Sequence, residues 1–184
     1  MKNINQEQAT VPSDILERND FENTIDTQLE NLVVDLLMEK GWHISFAESC
    51  TGGLAAGRLV NVPNASSVLD ASLVTYANEA KIFYLDVSPN TIAEHGVVSE
   101  QVVREMAMGV ALKNHAQVGV GISGIAGPGG ATAQKPIGMV CFGFYLDGKI
   151  ETCTQYFGDI GRNVVRKNSV DFVYEKLLEL LKNA

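Results

Sequence analysis

The run "WHISFAESCTGGLAAGRLVN", residues 42 to 61, changes character at its middle. Its first seven residues, "WHISFAE", read as a short strand, and "CTGGLAAGRLVN" reads as a helix whose small residues allow close packing on a sheet. Ser49 stands at the junction. A strand that runs directly into a helix is the repeating unit of a layered α/β sheet. In such sheets ligands gather where strands end, because the loops there are free and helix N-termini present unpaired N–H groups.

On the N-terminal side, Leu29, Leu32, Val33, Leu36 and Leu37 fall at helical spacing and Gly41 supplies the stop, so an amphipathic helix precedes the strand. Residues 1 to 24 are polar and acidic without a helical or alternating period, and read as a flexible arm ahead of a domain spanning 25 to 184. On the C-terminal side, "SLVTY" is a second strand and "NEAKIFYLD" a short helix that Asn78 is placed to cap. Ser88-Pro89 fits the cap and first turn of "PNTIAEH", and Ser99 opens the helical run "EQVVREMAMGVALKNH". "QVGVGISG" is a buried-type strand leading into the glycine-rich and proline-containing loop "IAGPGGATAQKPIG". "MVCFGFYL", Asp147-Gly148 and "KIETCTQYF" predict a hairpin with a two-residue turn. After "GDIGRN", Val165, Phe172, Val173, Leu177, Leu178 and Leu181 predict a closing helix. The expected fold is a single-domain α/β protein, a three-layer α/β/α sandwich with a mixed sheet.

With 184 residues, 46% of them hydrophobic and 20% charged, the chain is long enough and apolar enough to bury one core. A formal net charge of −8 repels DNA, RNA and anionic membrane surfaces, so neither nucleic acid nor membrane is an expected partner. A small anionic ligand remains compatible, since a few backbone amides or one arginine overcome that field locally. Cys50, Cys141 and Cys153 are an odd count, with no CxxC and no Cys/His pairing at zinc spacing, and a reduced compartment fits. The N-terminus lacks an apolar signal-peptide core and no stretch reaches membrane-spanning length, which reads as a cytoplasmic protein.

Three strand-end junctions hold the chemistry: Ser49 to Gly53, Tyr76 to Lys81, and Ser123 to Gly130. Ser49 beside a helix start is most simply a cap. Gly52 and Gly53 weigh the other way, because they lower the steric cost of bringing a substrate against the backbone, where first-turn N–H groups form an oxyanion hole. The spelling is not G-x-S-x-G, and no acid and histidine follow in triad order. A serine nucleophile then needs another base. Lys81, in the first turn of its helix, meets the positive end of the helix dipole, which disfavours its ammonium form. Tyr76 is placed to relay a proton or hold the serine hydroxyl; the bland alternative is a surface lysine and a core-edge tyrosine. "GIAGPGG" has the composition of an anion nest without the Walker or dinucleotide spelling, and a tight structural turn is an equal reading. Lys135, Arg162 and Arg166 are cations available to a phosphate, although Arg166 equally suits a solvated helix face.

In order, "AESCTGG" (47 to 53), "VTYANEAK" (74 to 81), "GVVSEQV" (96 to 102), "SGIAGPGG" (123 to 130) and "KPIG" (135 to 138) resemble the CinA C-terminal domain family, over roughly residues 26 to 184. The family's characterised activity is nicotinamide-mononucleotide deamidase, which hydrolyses the carboxamide to nicotinate mononucleotide and ammonia. The resemblance implies that this is a stand-alone form, that it is a homodimer, and that it needs no metal and no cofactor. It places the serine nucleophile on Ser49, the tyrosine on Tyr76, the lysine on Lys81 and an arginine on Arg162. Thr51, Gly52, Gly53, Ser123, Gly127, Gly129 and Gly130 are the accompanying substrate-binding candidates. Asp70, Ala71 and Ser72 stand where family members usually carry glycines, and Ser123 where they carry threonine. The alternative readings are an inactive paralogue that binds a pyridine nucleotide, and a regulatory interaction protein acting through the acidic arm.

Overall fold

A computed structural model describes residues 28–184; the expected arm and the first residues of the expected domain, 25 to 27, lie outside the described residues. Six helices and five strands follow in the order α1 (Gln28–Lys40), β1 (Ile44–Glu48), α2 (Leu54–Leu59), a 3-10 turn (Ala65–Ser67), β2 (Leu69–Val74), α3 (Asn78–Leu85), α4 (Pro89–His95), α5 (Glu100–Lys113), β3 (Val118–Gly124), β4 (Met139–Leu146), β5 (Lys149–Tyr156) and α6 (Arg162–Lys182). The strands form one sheet in the order β2-β1-β3-β4-β5. β1 runs parallel to both β2 and β3, while β4 and β5 are antiparallel additions, so the sheet is mixed as expected. Among the described residues no helix is long and apolar enough to cross a membrane.

The two faces of the sheet are covered in different ways. Ile44 and Phe46 of β1, with Val118, Val120 and Ile122 of β3, meet Val33, Leu37, Leu59, Val173 and Leu177 from α1, α2 and α6 in a broad core of large side chains. On the opposite face, Ala47 and Cys141 meet Leu85, Val102, Val103 and Met106 from α3 and α5. There the helix comes much closer. A Cβ on Gly119 would strike the carbonyl of Ala107, and one on Gly121 would lie 2.5 Å from that of Val103, so α5 lies directly on the β3 backbone. The glycine alternation in "VGVGISG" therefore marks the α5 face of a buried strand.

Several local expectations hold. Ser88 Oγ accepts from Thr91 N–H, and Ser99 Oγ accepts from Val102 N–H, so both serines cap their helices. Leu146 pairs with Lys149 across Asp147-Gly148, both at positive φ, as a two-residue hairpin turn demands. Two expectations need correction. Asn78 does not cap α3: Ala77 occupies the cap position, without a side-chain cap, and Asn78 is the first helical residue. The helix expected from Cys50 starts only at Leu54, because Gly52 and Gly53 have φ of 62° and 92° and turn the chain before it.

Candidate active site

Parallel strands β1, β2 and β3 end on the same edge of the sheet, and all three junctions singled out in the sequence lie there. At the end of β1, the buried Glu48 points its carboxylate under α2. It accepts N–H bonds from Gly53 (3.0 Å), Ala55 (3.1 Å) and Ala56 (3.0 Å). Glu48, not Ser49, is thus the capping side chain, which frees the half-buried Ser49 hydroxyl for other work.

At the end of β2, the chain turns through Thr75 to Ala77 and α3 brings Lys81 back beneath the turn. Lys81 is 1% exposed, which overturns the surface-lysine alternative. Its Nζ lies 3.3 Å from Ser49 Oγ, 2.7 Å from the Thr75 carbonyl and 3.5 Å from the Tyr76 carbonyl. An ammonium has three donors, and two of the three directions are taken by carbonyls; in the neutral amine those two N–H groups stay in place and the lone pair is left for the serine proton. Burial lowers the Lys81 pKa from 10.5, opposed by the charge that a Cys50 thiolate would carry. Cys50 itself is pushed up to about 12 by its burial and stays a neutral thiol near pH 7, so that opposing charge is absent there.

Tyr76 takes a different part from the one expected. Its side chain is 61% exposed, and its hydroxyl accepts from Arg162 Nη2 at 3.0 Å, with no hydrogen bond to Ser49 or Lys81. Arg162 Nη1 donates to the Gly127 carbonyl at 3.0 Å, so Tyr76, the first residue of α6 and the glycine-rich loop meet at one point. Gly129 and Gly130 are exposed in that loop. Ser123 donates its hydroxyl to the Val97 carbonyl at 2.7 Å, a strut between β3 and the turn before α5. Lys135 turns two of its three ammonium donors to the His95 and Val98 carbonyls.

The expected oxyanion donors are partly reassigned. Gly52 N–H donates to the Ser49 carbonyl (3.2 Å) and Gly53 N–H to Glu48, so neither amide is available. Thr51 stays a candidate: it is buried, its Oγ1 has no partner, and its N–H donates to no oxygen among the described residues. Asp70 is the extra residue where the β1–β2 register shifts, and it pairs with His43 at 2.7 Å. Ser72 hydroxyl reaches Glu48 at 3.5 Å, and none of Asp70, Ala71 or Ser72 bonds to Ser49, Lys81 or Arg162. A cavity of about 300 Å³ lined by His95, Ser99, Glu100, Lys135 and Cys141 shares none of the catalytic candidates. Lys135 and Glu100 in that cavity are already bonded within the protein.

A layered α/β sheet with a buried lysine hydrogen-bonded to a serine at its strand ends is an arrangement that can carry acyl transfer. The CinA C-terminal domain profile matches residues 26–181, and the chain belongs to that family. It is 46% identical over 160 residues to a CinA-like protein of Dictyoglomus thermophilum, and 50% over 125 residues to one of Dictyoglomus turgidum. These matches cover 84% and 68% of this chain but 38% and 30% of the relatives, so the chain spans about a third of the length of the curated relatives it matches. Among solved structures, a competence/damage inducible protein from Agrobacterium tumefaciens superposes with a TM-score of 0.81 at 37% identity, covering 84% of this chain and 94% of that one. A CinA superfamily protein from Escherichia coli gives 0.78 at 30% identity, covering 98% and 99%.

Proposed function

We propose that this protein hydrolyses the carboxamide of nicotinamide mononucleotide, giving nicotinate mononucleotide and ammonia. The observation that carries the reading is the buried Lys81 amine 3.3 Å from Ser49 Oγ. Neutral Lys81 takes the Ser49 proton as Oγ bonds to the amide carbon, and the carbonyl π pair moves onto oxygen. The Thr51 amide faces the resulting oxyanion. Collapse breaks the C–N bond, ammonia leaves with the proton held by Lys81, and a nicotinoyl ester remains on Ser49. Water then gives one proton to Lys81 while its oxygen attacks the ester, and Ser49 leaves as the alcohol with that proton returned.

Arg162, joined to Tyr76 and Gly127, and the exposed amides of the loop supply the positive charge for the phosphate. The α2 N-terminus does not, because Glu48 already fills it. In this reading the protein works in the pyridine nucleotide cycle, in the cytoplasm and as a homodimer; exposed Val74, Phe83 and Tyr84 supply apolar area for a second copy.

The test is ammonia release from nicotinamide mononucleotide without added metal, by wild type, Ser49→Ala and Lys81→Ala. Release by wild type alone supports the reading. Silence from folded wild type sinks it and leaves the inactive paralogue.

A further inference from the structure

Every backbone N–H from Ser49 to Ala56 can be accounted for, and the accounting singles out two. Ser49 donates to the Ile122 carbonyl, Gly52 to Ser49, Leu54 to Thr51, and Gly53, Ala55 and Ala56 to the Glu48 carboxylate. Cys50 and Thr51 alone donate to no oxygen among the described residues; their N–H groups face only the Cys50 sulfur, a weak acceptor as a neutral thiol. They are the central residues of the turn that Gly52 N–H closes onto the Ser49 carbonyl, beside the nucleophile.

The orientation of this turn is set from outside. From α6, Arg166 Nε donates to the Cys50 carbonyl at 3.1 Å and Nη2 donates to the Thr51 carbonyl at 2.9 Å. A trans peptide is planar, with its C=O and the following N–H pointing in opposite directions. Anchoring the Cys50 carbonyl on the guanidinium therefore aims Thr51 N–H away from Arg166. Anchoring the Thr51 carbonyl aims Gly52 N–H the same way, onto Ser49. The fork of a guanidinium holds two neighbouring carbonyls at once, which a point-like ammonium does less well.

We propose that Arg166 is a positioning residue for catalysis: it holds the Ser49–Gly52 turn so that Thr51 N–H, with Cys50 N–H beside it, forms the oxyanion site. The inference deepens the proposed amidase function and rests on it for its kinetic arm only. Arg166 touches no reacting atom. It also takes Arg166 out of the set of cations available to the phosphate and leaves Arg162 in that place.

The experiment uses Arg166→Gln and Arg166→Lys in the full chain, with two readouts. For nicotinamide mononucleotide, kcat of Arg166→Gln falls on the order of 10- to 100-fold, less than the loss from deleting an oxyanion donor outright, with KM unchanged and partial recovery in Arg166→Lys. In amide NMR without substrate, the Cys50 and Thr51 resonances move in Arg166→Gln while those of Ala55 and Ala56, held by Glu48, stay. A raised KM with kcat kept means that Arg166 binds phosphate, and overturns the proposal. A lowered unfolding midpoint with kcat kept makes Arg166 a packing residue only, and overturns it too. If wild type releases no ammonia, the proposed function falls, and the amide resonances still decide: shifts at Cys50 and Thr51 uphold the positioning role, and their absence ends it.

Discussion

Two glycine-rich junctions at the same sheet edge, Cys50 to Gly53 and Ile125 to Gly130, look alike in composition and behave in opposite ways. The first is closed by its own protein. Glu48 takes three amides from below, Arg166 takes two carbonyls from the side, and the Cys50 and Thr51 N–H groups meet no oxygen, only the Cys50 sulfur. The second is open, with Gly129 and Gly130 exposed; it is tied at Ile125, which bonds to Met139 and Gly138, and at the Gly127 carbonyl. Glycine marks where backbone can be approached. It does not say whether the donors there are already spent, and in that the two junctions differ.

The contrast can be broken at several points. Lys81→Met has the largest effect: it removes the base from the closed junction, so kcat falls on the order of 1,000-fold, while removal of a buried amine leaves the unfolding midpoint no lower. The pH profile checks the same group. Neutral Lys81 is the working form, so kcat/KM rises tenfold per pH unit up to the Lys81 pKa and then levels. Because burial lowers that pKa from 10.5, the limb must bend below pH 10.5; a bend at or above it removes Lys81 from the base role.

Next comes the scaffold of the closed junction. Glu48→Ala leaves the Gly53, Ala55 and Ala56 N–H groups without their acceptor and costs about 3 kcal/mol in urea unfolding, against about 0.5 kcal/mol or less for a surface change in the open loop such as Gly129→Ala. Arg162→Gln acts on the open side: KM for nicotinamide mononucleotide rises about 30-fold, equivalent to about 2 kcal/mol, while a phosphate-free riboside is unaffected. Equal losses with both substrates would move Arg162 from phosphate binding to the tyrosine contact. The smallest effect is Ser123→Ala. It removes the strut to Val97, costs about 1 kcal/mol of stability, and leaves KM alone; a KM change beyond threefold would make Ser123 a substrate contact.

Most of the architecture was legible because its signals are local. Serine capping at Ser88 and Ser99, the period of α6 and the two-residue turn at Asp147-Gly148 each depend on residues a few positions apart. Composition at "CTGG" misled by the same logic: small residues suit helix packing, but two positive-φ glycines delay the helix to Leu54. Glu48 went unread as a functional residue. Its signal was an acid directly before a strand-to-helix junction with no other strong cap, and Ser49 drew the capping reading instead.

From the residues in order come the α/β class, the strand-end location of the site and, through motif resemblance, the grouping of Ser49, Tyr76, Lys81 and Arg162. Packing alone settled which groups are free to react. Lys81 becomes a dry amine only where α3 lies against the ends of β1 and β2, and Arg166 meets the carbonyl of Cys50 across 116 positions of chain. Hydrogen-bond partners and desolvation depend on which surfaces meet, and chain neighbours carry no record of that; the same tyrosine that reads as a proton relay becomes the companion of an arginine 86 residues away.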